Sequence, residues 1–113
     1  MEPTKLYILW TNDNLDTSQH MVFMYAINSM MKGWWDEVTV IIWGPTAKLV
    51  AENKRIQERM EVARHVGVKF SACVACAREL GVESDLKKLG LDVIPWGPPL
   101  TELLQNGEKL ITV

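Results

Sequence analysis

Glu37 to Trp43 reads Glu-Val-Thr-Val-Ile-Ile-Trp, an almost unbroken run of β-branched and apolar side chains. A strand with one wet face would alternate apolar and polar residues, and the run from Val38 onward is instead apolar at nearly every position. Such a strand has both faces covered, as in the middle of a parallel sheet with helices packed against it. It is far too short to cross a bilayer. This one segment therefore asks for a sheet flanked by helices, and the rest of the chain supplies both.

Lys5 to Trp10 is a second apolar run rich in strand formers, broken by the turn cluster Thr11-Asn12-Asp13-Asn14. Asp16, Thr17 and Ser18 offer N-caps for a helix from about Thr17 to Lys32, with Gly33 just past its end. Between Met21 and Met31 this helix is apolar nearly all round, which predicts cover on two sides, by the sheet and by another subunit. After Gly44-Pro45-Thr46, with Thr46 as cap, helical spacing runs from Ala47 to Val66 with a break near Asn53, and Gly67 ends it. The charges from Lys54 to Arg64 alternate in sign, as on a solvated helix face.

Val68 to Ala72 is the third strand, and Cys73 to Leu80 reads as a helix closed by Gly81. Ser84 caps a short helix to Leu89, Leu91 to Ile94 is the fourth strand, and Pro95 to Pro99 begins as a loop. Pro98 or Pro99 suits the first turn of a helix that runs to Asn106, and Lys109 to Val113 is the last strand. Strands alternating with helices predict one α/β domain over residues 1–113, a sandwich with a mostly parallel sheet and helices on both faces.

Composition narrows the function. With 113 residues, 48% apolar and 23% charged, the chain has the balance of an ordinary globular domain. Lys plus Arg number 12 against 14 Asp plus Glu, a net charge of −2, so the basic surplus of a nucleic-acid binder is missing. The opening Met-Glu-Pro-Thr-Lys lacks the pattern of a signal peptide, and no apolar run reaches membrane length. The expected setting is the cytoplasm, with no membrane and no nucleic acid as partner. Two cysteines in a reducing compartment are not expected to form a structural disulfide.

Parallel strands share a C-terminal edge, and open α/β sheets bind ligands along it. The residues just beyond the strands are therefore predicted to converge: Thr11 to Asn14, with Asn12 and Asp13 on the edge itself, Gly44-Pro45-Thr46, Cys73 to Cys76, and Pro95-Trp96-Gly97. Cys73 stands at the turn from strand to helix, where unpaired backbone N–H groups favour a thiolate. Cys76 lies three residues on, near enough in a helix for the two sulfurs to pair or to hand a group between them. Buried filler is the plain alternative, more so for Cys76 between Ala75 and Ala77 than for Cys73.

Other chemistries fit less well. A closed zinc site needs four ligands, and only His20 and His65 remain among the usual soft ones. No metal and no cofactor are expected. Gly44-Pro45-Thr46 lacks the glycines and lysine of a phosphate loop, and Asn12 to Asn14 are ordinary turn formers. Thioredoxin-like motifs follow an early strand and a tryptophan, whereas Cys73-Val74-Ala75-Cys76 follows Ala72 in the second half of the chain. Trp10, Trp43 and Trp96 each end a strand and are predicted to flank the cysteine edge as a dry pocket or interface, at least one of them capping the core instead.

Two segments carry a family resemblance. They are Ile41-Ile42-Trp43-Gly44-Pro45 leading into a helix, and Gly67-Val68-Lys69-Phe70-Ser71-Ala72-Cys73-Val74-Ala75-Cys76-Ala77-Arg78-Glu79-Leu80-Gly81-Val82. The strand, the cysteine and the later Gly-Val resemble the DsrE/DsrF-like family, the small sulfur-relay and YchN-like proteins, over nearly the whole chain. The resemblance implies a three-layer α/β/α sandwich with a five-stranded, mostly parallel sheet, assembled as a homotrimer, a homohexamer or a related hetero-oligomer. It also implies that Cys73 carries sulfur as a persulfide between donor and acceptor proteins, with Cys76 at a position where other members have cysteine or alanine. Two alternatives stand beside that expectation: a dithiol redox protein using both cysteines, and a non-catalytic oligomeric module binding a small ligand at the edge.

Overall fold

Residues 2–113 are described by a computed structural model. The central strand is β2, Glu37–Ile42, in which Val38, Val40, Ile41 and Ile42 are wholly buried. It lies between β1 (Lys5–Trp10) and β3 (Lys69–Cys73), with β4 (Asp92–Ile94) outside β3 and β5 (Leu110–Thr112) outside β1. The order is β4-β3-β2-β1-β5 and each neighbouring pair is parallel. The expected α/β sandwich with a five-stranded sheet is therefore what the chain forms.

Alternation along the strands sorts the side chains into two cores. Leu6, Ile8 and Trp10 of β1, Val38, Val40 and Ile42 of β2, and Phe70 and Ala72 of β3 share one cluster. Helices close over it: the first helical region, α3 (Thr46–Glu52), α4 (Lys54–His65), α5 (Val74–Glu79) and α6 (Glu83–Lys88). Each fully covered Ile or Val here contributes about 1.5–3 kcal/mol. Tyr7 and Leu9 of β1, Ile41 of β2 and Cys73 of β3 face the other way, against α7 (Gly97–Gln105). The connection through α7 reverses the direction of travel along the sheet, from β4 at one edge to β5 at the other. With right-handed crossovers that reversal puts α7 on the opposite face.

Several boundaries differ from the sequence reading for identifiable reasons. The first helical region begins at α1 (Leu15–Thr17) because Asn14, not Asp16, Thr17 or Ser18, is the cap: its Oδ1 accepts from the Thr17 N–H at 2.8 Å. It continues through a π-helical turn, Ser18–Phe23, into α2 (Met24–Met31). In the π turn the N–H of Met24 reaches the carbonyl of Gln19. Thr46 is the first residue of α3 and not its cap; its hydroxyl donates to the Asn12 carbonyl at 3.0 Å and ties the two edge loops together. Ser84 sits inside α6, which starts from Val82 without a side-chain cap. The break at Asn53 is real, and Asn53 Oδ1 caps α4 through the Ile56 N–H at 3.0 Å. The third strand runs one residue further than expected, so Cys73 ends β3 and α5 begins at Val74.

Candidate functional site

Cys73 is the last residue of β3 and sits in extended conformation (φ −75°, ψ 119°) immediately before α5. Strand parity sends its side chain to the α7 face, where it is 4% exposed and clusters with Ile41 and Trp96. Trp43, Cys76, Leu100 and Leu103 pack around these three and are themselves partly buried. Both thiols are free.

Cys76 lies one turn into α5 and is partly exposed. The loop after β2 reaches it: the Gly44 N–H donates to Cys76 Sγ at 3.2 Å. Gly44 holds φ +72°, a left-handed backbone that a side chain would strain. Burial pushes the Cys76 thiol above its ordinary value, the Gly44 N–H opposes that, and the adjacent Cys73 thiol adds to the rise. The pair thus consists of an outer sulfur with a fixed N–H donor and an inner sulfur enclosed by apolar side chains.

Trp96 closes the inner sulfur's surroundings. It is 7% exposed, its Nε1 donates to Ser71 Oγ at 2.8 Å, and Ser71 Oγ donates to the Asp92 carbonyl at 2.9 Å. This chain links α7's first turn to β3 and β4. Ser71 was not singled out in the sequence, although its place two residues before Cys73 on the same strand face is legible from period-two alternation.

The other predicted edge residues divide. Trp43 and Gly44 meet the cysteines, but Trp10 does not: it is fully buried on the opposite sheet face. There its Nε1 donates to Ser18 Oγ at 3.0 Å and its ring meets Phe23 edge-on with centroids 5.3 Å apart. The cause is register. Trp10 pairs with Ile42, and Ile42 with Ala72, so all three point one way and Cys73, the next residue, points the other. Asn12 and Asp13 build the loop after β1: Asn12 Oδ1 accepts from the Asn14 N–H at 3.1 Å, and Asp13 borders a separate depression of about 290 Å³ with Lys48 and Glu52. Pro95 is exposed on the turn before Trp96. His20 and His65 are exposed, and no group of three or more possible metal ligands is gathered among the described residues. Nor is any helix among them long and apolar enough to cross a membrane.

The model of the DsrE/DsrF-like family matches residues 5–113. The chain belongs to the DsrE/DsrF-like family. Among solved structures, this DsrE/DsrF-like domain is similar to a conserved protein of unknown function from Bacteroides thetaiotaomicron, with 43% identity and a TM-score of 0.93. That similarity covers 96% of this chain and 94% of the other. A protein of unknown function from Methanobacterium thermoautotrophicum shares the fold at 16% identity, with a TM-score of 0.80 over 97% of this chain and 99% of that one. The search of curated proteins gave no match. The DsrE/DsrF-like fold and the family anticipated from the cysteine segment are thus established together.

Proposed function

We propose that this chain is a sulfur carrier that holds sulfane sulfur as a persulfide on Cys73 and passes it to an acceptor thiol. Family membership makes sulfur relay the leading chemistry, and one feature of the site supports it. Cys73 is a free thiol with 4% exposure, enclosed by Ile41 and Trp96 yet beside a second thiol that reaches the surface. A persulfide is lost quickly to water-borne thiols, so an enclosed sulfur with one guarded approach suits a carrier. Transfer of sulfane sulfur is a thiolate exchange and requires no metal and no acid–base triad. Donor and acceptor would be proteins or small persulfides in the same compartment, expected to be the cytoplasm.

The test is intact-protein mass spectrometry after incubation with polysulfide, followed by peptide mapping and by addition of an acceptor thiol. The expected result is a gain of sulfur mapped to Cys73, discharged to the acceptor, with delivery abolished in Cys73→Ser. A wild-type protein that gains no sulfur overturns the carrier reading.

A further inference from the structure

We propose that Cys76 is the receiving thiol of a two-step relay: sulfane sulfur lands on Cys76 and is then handed inward to Cys73. This rests on the carrier reading and assigns to Cys76 a role of its own. Three observations carry it. The two sulfurs differ in access, Cys73 being buried and Cys76 partly exposed on the adjoining turn. Cys73 lies behind Trp96, whose indole is locked by its hydrogen bond to Ser71, so that side does not open without breaking a buried contact. The Gly44 N–H already points at Cys76 Sγ from 3.2 Å, a donor that stabilises sulfur there when it is negatively charged.

The chemistry balances without an outside oxidant or reductant. In the first step the Cys76 thiolate attacks the terminal sulfur of a donor persulfide. A new S–S bond forms on Cys76, the donor's own S–S bond breaks, and the donor leaves as a thiolate. In the second step the Cys73 sulfur attacks that same terminal sulfur after giving up its proton. The S–S bond to Cys76 breaks, the electron pair returns to Cys76, and the leaving thiolate is held by the Gly44 N–H until it takes up the proton. Attack on the inner sulfur instead would release sulfide and leave a Cys73–Cys76 disulfide, a distinct product that mass spectrometry separates.

The experiment is a rapid-quench loading series with cysteine persulfide as donor. Wild type, Cys73→Ser, Cys76→Ser and Cys76→Ala are compared, with thermal melts confirming that each is folded. Cys73→Ser is expected to gain one sulfur on Cys76 at the wild-type rate and to keep it. Both Cys76 variants are expected to load Cys73 slower by about tenfold or more, because delivery from a neighbouring group is lost. Iodoacetamide is expected to modify Cys76 before Cys73 in the untreated protein. If the Cys76 variants load Cys73 as fast as wild type, the relay is overturned while the carrier reading stands. If Cys73→Ser takes up no sulfur, Cys76 receives nothing and the relay is likewise overturned. If wild type gains none, both fall together.

Discussion

Cys76 is the residue where opposing effects can be measured one against another. Removal from water disfavours the thiolate, and the Gly44 N–H favours it; burial is the larger effect, so the thiol sits above its ordinary value. Its thiolate population, and with it the rate of modification by iodoacetamide, is therefore expected to rise with pH along a curve whose midpoint lies above that of a free cysteine. The sign carries over to folding. A group whose folded pKa is raised contributes stability below its unfolded pKa, and that contribution is lost as pH climbs through the folded value. Rates of Cys76 alkylation measured in Cys73→Ser, against a small-molecule thiol under the same conditions, check the direction; a midpoint below the small thiol's contradicts the balance described. Donors aimed at a sulfur that burial keeps protonated suit a site that charges its sulfur during exchange rather than at rest.

Among the elements, the α3–α4 corner shows how one side chain sets a boundary. Asn53 ends α3 and caps α4 through Ile56, while the Gln57 amide donates to the carbonyls of Val50 and Ala51 at 2.9 and 3.1 Å. Asn53→Ala is expected to lower stability by about 1 kcal/mol, visible in urea unfolding, with the corner still formed because Gln57 continues to satisfy the end of α3. An unchanged midpoint would remove Asn53 as the determinant. Asn53 was legible in the sequence because a cap residue interrupted helical spacing that resumed after it. Thr46 and Ser84 are cap types too, but Thr46 is drawn to the Asn12 carbonyl and α6 starts from buried Val82, aided by Glu83 and Asp85 in its first turn and Lys87 and Lys88 in its last. The strands, and the placing of Cys73 at a strand end, followed from apolar runs alone. The face each strand residue points to did not, because parity within one strand has meaning only once the register to its neighbours is known. Trp10, Trp43 and Trp96 look alike in the sequence because each ends a strand, and the π turn that receives the Trp10 indole at Ser18 has no sequence signal beyond the serine itself.

At the scale of the whole molecule the two sheet faces are unequally covered. One carries α1 to α6 and a continuous core, and the other carries α7, which buries none of its residues fully. On the well-covered side the first helical region still presents methionines outward: Met21, Met24 and Met31 are 37%, 48% and 67% exposed. Met24 and Met31 are two turns apart on α2, so they lie on one stripe, and the half-exposed Asn28 falls between them. The sequence predicted an all-round apolar helix that needs cover from both the sheet and a second subunit. The sheet side is present in Ala26 and Ile27, and the outward side remains bare in a single copy. Flexible methionines adapt well to such contacts. The protein is accordingly expected to self-associate in sedimentation velocity at micromolar concentration, with the trimer or hexamer that the family resemblance implies as the assembly to look for. The double substitution Met24→Glu with Met31→Glu places like charges on the stripe and is expected to shift the population to monomer. Its cost within one chain should stay within about 0.5 kcal/mol per site, since neither side chain is buried there. A wild-type protein that sediments as a monomer throughout would leave the stripe without the role assigned to it. A double variant that associates like wild type would move the contact to the face of α7, where Trp43, Leu100 and Leu103 surround the cysteines and a neighbouring copy would stand at the approach to Cys76.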